Sequence, residues 1–140
     1  MNKKVRSIFA GLVFAALALF LAVEGAEAFC VYNNTKNDNM GVRQTSGGNF
    51  NKPFIPSGGK ECCNWQEKSC NKGGKRDSIV RFDVDQRVVV GDKSGEVDFR
   101  SICENFPIKA GGWLTIEGSN NNYKCVAHDY STPLPVPKGK

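Results

Sequence analysis

Short runs in which apolar and polar residues alternate are the strongest signal in this chain. Val80, Phe82 and Val84 are separated by polar residues, and residues 96–100 repeat the pattern. Alternation with a period of two is typical of a β-strand with one buried face and one face in water. No segment beyond residue 28 has a sustained helical period. The pattern therefore predicts an all-β domain.

The other predicted strands are short and lie between Gly, Asn, Asp and Pro residues, which favour turns. We predict strands at 29–33, 41–45, 50–55, 60–65, 78–84, 88–90, 96–100, 112–117 and 123–128. A short helical turn is expected at 101–104. Pro53 has no amide hydrogen, so its strand should lie at a sheet edge. About eight short strands predict a small antiparallel β-sandwich stapled by disulfides, with a small β-barrel as the alternative.

The first 28 residues have the pattern of a cleaved secretory signal peptide. A basic start precedes an apolar run at 8–23, and Ala26 and Ala28 are the small residues that signal peptidase accepts. The run is shorter than the roughly 20 residues that span a bilayer, which disfavours a retained membrane anchor. We predict a signal peptide at 1–28, one β domain at 29–130 and a Pro-rich extended tail at 131–140. The protein should be secreted, extracellular or periplasmic.

Charge excludes one class of partner. The 140-residue chain has a formal net charge of +5, and its Lys and Arg residues are dispersed. The local cluster of Lys72, Lys75 and Arg76 is typical of a solvated loop. Nucleic-acid binding needs a denser basic stripe with stacking aromatic residues, so no nucleic-acid partner is expected. Without an amphipathic helix, stable membrane insertion is not expected either.

Six cysteines follow the leader: Cys30, Cys62, Cys63, Cys70, Cys103 and Cys125. An even number in an exported chain predicts that all of them form disulfides. Adjacent residues on a strand point to opposite faces, so Cys62 and Cys63 should each pair elsewhere. We predict Cys63–Cys70, Cys30–Cys125 and Cys62–Cys103. A zinc site is the alternative, which the cysteine spacing disfavours, and we expect no metal and no cofactor.

Aromatic and amide side chains provide the candidate ligand surface. They are Trp65, Trp113, Asn120, Asn121, Asn122 and Tyr123. An exposed aromatic ring can stack on a sugar, and neighbouring amides can bind its hydroxyl groups. If Leu114 and Ile116 line the core, Trp113 faces outward; the alternative is that Trp113 itself packs in the core.

Catalysis has little support in the sequence. His128 is the single histidine, and no Gly-x-Ser-x-Gly motif is present. A hydrolytic triad needs a nucleophile and an orienting acid around such a base, and the cysteines are expected to be committed to disulfides. We therefore predict no catalytic residues and a protein that is not an enzyme.

The tripeptide Asn33-Asn34-Thr35 matches the acceptor pattern for N-glycosylation. Attachment of a glycan requires a eukaryotic secretory pathway, and the leader does not identify the kind of organism. The sequence is therefore compatible with either a glycosylated or an unmodified Asn33.

These observations favour a non-catalytic, disulfide-rich secreted domain with a role in binding or in the cell envelope. The expected partner is a carbohydrate or a cell-surface protein, and the oligomeric state is left open. Export, positive charge and disulfides also fit a second hypothesis, a small cationic toxin or antimicrobial factor. A third is an inhibitor of a secreted enzyme, which would present the loop at 66–77 that Cys70 holds.

Overall fold

A computed structural model of the protein describes residues 28–89, 95 and 97–130, and these residues form eight β-strands. The strands are β1 (Ala28–Asn33), β2 (Met40–Gln44), β3 (Asn51–Ile55), β4 (Lys60–Asn64), β5 (Ile79–Val89), β6 (Val97–Lys109), β7 (Trp113–Ser119) and β8 (Asn122–His128). The described residues contain no helix, which confirms the all-β prediction. The predicted leader, apart from Ala28, and the predicted Pro-rich tail lie outside the described residues.

Two four-stranded sheets make up the sandwich. One has the strand order β4-β1-β7-β8 and the other β3-β2-β5-β6. Neighbouring strands are antiparallel except β1 and β7, which are parallel. Neither sheet closes on itself, so the predicted sandwich is confirmed and the barrel alternative is wrong. Pro53 lies on β3, an edge strand, as its missing amide hydrogen predicts.

The hydrophobic core fills the space between the inner faces of the two sheets. Three of its rings, Phe29, Phe50 and Phe82, pack edge to face with centroids 5.3 to 5.8 Å apart. The alternation in β5 directs side chains to this core, since Phe82 and Val84 are fully buried. Other buried core residues are Val31, Met40, Val42, Ile55, Val80, Ile108, Leu114 and Ile116.

Strands β5 and β6 are longer than the sequence indicates. They have 11 and 13 residues, and β5 runs continuously through the segment where two separate strands are predicted. The helical turn predicted at 101–104 is wrong, because these residues continue β6 and pair with β5. Pairing with β5 outweighs the local preference of residues 101–104 for a helical turn. Pro107 is tolerated because β6 is an edge strand. Asn105, with a φ of 51°, lies where the β5–β6 register shifts, and asparagine tolerates positive φ.

Two disulfides involve the adjacent cysteines of β4. Cys63 bonds to Cys70, as predicted. Cys30 bonds to Cys62, so the predicted Cys30–Cys125 bond is wrong. The reason is strand order: β1 pairs with β4 in one sheet and places Cys30 directly opposite Cys62. Cys62 is exposed whereas Cys63 packs against the core, as their opposite faces on one strand require.

The third disulfide joins the two sheets. Cys103 on β6 bonds to Cys125 on β8, with a Cα–Cα distance of 6.4 Å, so the predicted Cys62–Cys103 bond is wrong. The strands β6 and β8 lie in different sheets, and their inward-facing cysteines meet across the sandwich. Because each of the six sulfurs is bonded to another sulfur, none is a thiolate that could hold zinc.

Candidate functional site

The two tryptophans do not form the predicted ligand platform. Trp113 is only 5% exposed, and its ring stacks on His128 at a centroid distance of 5.1 Å and an interplanar angle of 7°. Trp113 is therefore buried on the face of β7 opposite Leu114 and Ile116, so its ring is neither an exposed ligand surface nor part of the core between the sheets. The reason is that β7 lies between β1 and β8, where Thr115 on one face and Leu114 on the other are both buried. Trp65 is half-buried and packs against the core.

The predicted amide and tyrosine residues meet at a polar pocket at one end of the sandwich. The pocket has a volume of about 360 Å³ and lies between the β1–β2 loop, β5 and the β7–β8 hairpin. Its lining residues are Lys36, Asn37, Asp38, Gln86, Ser119, Asn120, Asn121 and Tyr123. Of the predicted surface, Asn120, Asn121 and Tyr123 line this pocket, while Asn122 pairs with Ser119 at the base of the hairpin turn.

The hairpin turn presents two amide side chains at the pocket. Ser119 pairs with Asn122, which leaves Asn120 and Asn121 as a two-residue turn. Their φ angles are 52° and 63°, in the left-handed region. Asparagine tolerates this region because its short polar side chain can form local hydrogen bonds. The Asn-Asn pair is therefore what allows the tight turn that closes this side of the pocket.

Asn33 holds the opposite wall of the pocket. Its Nδ2 donates to the carbonyl oxygens of Asp38 at 2.8 Å and Ile55 at 2.9 Å. Its Oδ1 accepts hydrogen bonds from the Thr35 amide at 3.1 Å and the Thr35 hydroxyl at 2.6 Å. Both Asn33 and Thr35 are buried. The loop that carries residues 36–38 is thereby fixed, and the glycosylation tripeptide is a structural element.

Gln86 is the most buried of the lining residues, at 6% exposed. Its Nε2 donates to Asp38 Oδ1 and to the Tyr123 hydroxyl, both at 3.1 Å. Its Oε1 is buried and has no hydrogen-bond partner among the described residues. Burial raises the pKa of the Tyr123 phenol, and the neighbouring Asp38 carboxylate raises it further. The phenol therefore stays protonated at neutral pH. Hydrogen bonds link the Gln86 amide to the Asp38 carboxylate and to the Tyr123 phenol.

The charges of the lining residues cancel. Lys36 and Asp38 carry the two formal charges, and these have opposite sign. The amide groups of Gln86 and the asparagines, and the hydroxyl of Tyr123, can both donate and accept hydrogen bonds. Such a lining matches a neutral molecule with several hydroxyl groups better than it matches a strongly charged one.

Sequence reasoning missed residues 36–38 and Gln86 as parts of the site. The signal for Gln86 was present: it continues the inward-facing positions of residues 80–84 and is the first polar residue in that series. A polar side chain at a position that the alternation directs inward must find polar partners. Its partners come from a loop and a hairpin far away in sequence, which the pattern alone does not reveal.

His128 belongs to a separate network on the outer face of its sheet. Its Nε2 lies 2.9 Å from Thr115 Oγ1, which in turn donates to Glu117 Oε1 at 3.2 Å. The tautomer of the imidazole decides which of the two atoms donates in the His128–Thr115 hydrogen bond. A hydroxyl nucleophile must be within reach of a substrate as well as of the histidine. Thr115 is also only 2% exposed, so this arrangement gives no support to a catalytic role for His128.

The described residues contain no group of three or more His, Cys, Asp or Glu side chains that could hold a metal ion. Within the same residues, no helix is long and apolar enough to cross a membrane. Comparison with protein-family models, with curated proteins and with solved structures gives no match. The three disulfides indicate a protein that folds in an oxidising compartment outside the cytoplasm.

Proposed function

We propose that the protein is a secreted, non-catalytic binding module that holds a neutral carbohydrate of the cell surface or envelope in its polar pocket. The observation that carries this proposal is the buried Gln86 side chain in the pocket lining, with an Oε1 that has no partner among the described residues. An unpartnered buried polar atom costs about 1–3 kcal/mol. A ligand hydroxyl that donates to this oxygen would remove that cost.

The neighbouring groups suit the same ligand. Tyr123 and the amides of Asn120 and Asn121 add donors and acceptors around the pocket. The volume of about 360 Å³ falls in the range of roughly 300–1,000 Å³ that is usual for small-molecule sites. Gln86 Oε1 lies beneath the pocket surface, so binding requires a rotation of this side chain, and rotamer changes of this kind are common on binding.

Isothermal titration calorimetry of the purified protein tests the proposal. The ligands are neutral oligosaccharides, with amino-sugar and sulfated oligosaccharides as charged comparisons. We expect neutral oligosaccharides to bind with a Kd below about 1 mM. Gln86→Leu keeps a similar volume but removes the amide, and it should weaken binding about tenfold, as the loss of one hydrogen bond to a buried group does.

Gln44→Leu is the matched control. Gln44 is also buried, at 7% exposed, and its Oε1 is likewise unpartnered among the described residues. It lies at the other end of β2, donates to the Cys70 carbonyl at 2.8 Å and is not part of the pocket lining. This variant, once shown to be folded by circular dichroism, should bind as the wild type does. Failure of the wild type to bind any neutral oligosaccharide would contradict the proposal, as would equal binding by Gln86→Leu.

The toxin and inhibitor hypotheses remain predictions. Residues 72–77 are exposed in the loop that the Cys63–Cys70 bond holds, and exposure is what an inhibitory loop needs. Liposome-leakage, growth-inhibition and protease-panel assays distinguish these functions from carbohydrate binding. Activity in one of these assays, together with no carbohydrate binding, would replace the proposed function.

A further inference from the structure

Among the residues that the structure describes, no strand pairs with the outer edge of β6. β6 is the last strand of its sheet, and residues 97–101 are all exposed. Val97 and Phe99 are 36% and 55% exposed, although both are apolar. An exposed edge strand presents backbone N–H and C=O groups to which another strand can add. The opposite edge strand of this sheet, β3, is less suited because Pro53 has no N–H to donate.

The backbone of Phe99 points toward this open edge. Its amide donates to Asp98 Oδ1 at 2.8 Å. Phe99 lies opposite Arg87 of β5, and the Arg87 guanidinium is 5.2 Å from the centre of its ring. In an antiparallel ladder the N–H and C=O of one residue point to the same side. Because the N–H bonds to a side chain of its own strand rather than to β5, both groups of Phe99 face away from β5.

The side chains that flank Phe99 are self-complementary. Asp98 and Arg100 lie on either side of it and carry opposite charges. If two copies pair antiparallel about Phe99, Asp98 of each copy lies opposite Arg100 of the other. A two-fold axis relates the two ion pairs, as in most homodimers. Opposite charges at directly facing positions favour antiparallel pairing.

We propose that β6 pairs antiparallel with the β6 of a second copy of this chain across residues 97–101. The two Phe99 residues exchange their N–H···O bonds at the centre of the interface. Each Asp98 carboxylate leaves the Phe99 amide of its own strand and pairs with Arg100 of the second copy. The two four-stranded sheets then form one continuous sheet.

This pairing places the two pockets near each other, although it does not depend on what the pockets bind. Gln86 of β5 is paired with Arg100 of β6, so the pocket lies one strand away from the interface. The β5 strands of the two copies would be three strand spacings apart, roughly 14 Å. The two-fold axis is perpendicular to the sheet, so both pockets open on the same face. A repetitive ligand could then engage both pockets and gain avidity.

Sedimentation equilibrium of the purified protein across the micromolar range tests the proposal. We expect a concentration-dependent equilibrium between monomer and dimer. D98R places two cations opposite each other and R100D places two anions opposite each other, and each should raise the dimer Kd about tenfold or more. The double variant D98R/R100D restores opposite charges and should return the Kd to within about threefold of the wild type. K68E, on an exposed loop, is the control and should leave the Kd unchanged.

Hydrogen exchange of the Phe99 amide provides a measurement that needs no variant. Exchange should slow as the protein concentration of the wild type rises, because the amide enters the interface. A protein that stays monomeric at every concentration overturns the proposal. So does a dimer that both single charge reversals leave intact, a double variant as weak as the single ones, or Phe99 exchange that is independent of concentration.

Discussion

The Thr35 hydroxyl donates to Asn33 Oδ1 at 2.6 Å, in a buried contact two residues apart in sequence. The Asn33 amide nitrogen in turn holds the Asp38 carbonyl at 2.8 Å, and Asp38 accepts a hydrogen bond from Gln86. The contact therefore couples the stability of the sandwich to the shape of the pocket. A short polar motif that reads as a modification signal in the sequence is a folding element in the structure.

We expect Thr35→Val to lower the free energy of unfolding by about 1–3 kcal/mol, because it removes the shorter of the two hydrogen bonds that buried Asn33 Oδ1 accepts while nearly keeping the shape. Thr35→Ser is the control, since it keeps the hydroxyl and loses only a methyl group, at a cost of about 1 kcal/mol or less. Urea unfolding at equilibrium measures both. Equal stability of the two variants would contradict the role given to the Asn33–Thr35 contact.

The same contact predicts that folded protein carries no glycan on Asn33. Asn33 has no exposed surface, and its Nδ2 donates to two carbonyl oxygens. A glycan would replace one of the two hydrogens on Asn33 Nδ2 and would have to lie in the core. Protein secreted from a eukaryotic host should therefore have the same intact mass before and after treatment with a glycosidase. A folded protein with a glycan on Asn33 would show that the loop is built differently.

Removal of the disulfide between the sheets should cost more stability than removal of the short one. Cys103 and Cys125 are 22 residues apart, whereas Cys63 and Cys70 are 7 apart. A longer closed loop removes more entropy from the unfolded chain, so C103A/C125A should lose about 3 kcal/mol and C63A/C70A about 2 kcal/mol. Guanidinium unfolding gives both values. The reverse order would mean that packing around Cys70 outweighs loop entropy.

Asp85 should destabilise the fold when it is ionised. Burial raises its pKa above the usual 3.8, and the charge of neighbouring Asp83 raises it further. The folded state therefore holds the Asp85 proton more tightly than the unfolded chain, and stability falls as pH rises through the interval between the two pKa values. We expect Asp85→Asn to raise the melting temperature at pH 7 by roughly 1–4 °C. Well below pH 3.8, where the carboxyl is protonated in both the folded and the unfolded state, the gain should disappear.

Asp83 lies two residues before Asp85 on the same strand, and its pKa is shifted in the opposite direction. Its hydrogen bond from Arg43 lowers its pKa below 3.8, and the Asn105 amide lowers it further. Its ionised form therefore contributes stability at pH values above 3.8, and this contribution is lost as pH falls through the folded pKa. Asp83→Asn should lower the melting temperature at pH 7. A rise in melting temperature for Asp83→Asn at pH 7 would contradict the direction given for Asp83, and a fall for Asp85→Asn would contradict the direction given for Asp85.

The local features of this protein follow from short-range patterns. The alternation at 80–84 directs one set of side chains inward because successive side chains on a strand point to opposite faces. The same rule places Cys62 and Cys63 on opposite faces, and the missing amide hydrogen of Pro53 favours an edge position for β3. The turn at Asn120 and Asn121 also follows from the residues themselves, since asparagine tolerates positive φ.

Tertiary structure decided which of these elements meet. The pairing of Cys30 with Cys62, rather than with Cys125, depends on β1 lying beside β4, and Trp113 is buried because β7 lies between two strands. The pocket joins residues 36–38, Gln86 and the β7–β8 hairpin, which are far apart along the chain. Strand order results from many weak long-range contacts acting together, whereas periodicity and turn chemistry depend on a few neighbouring residues. The sequence by itself therefore determined the all-β class and most strand positions, and only the folded sandwich decided the disulfide partners and the candidate site.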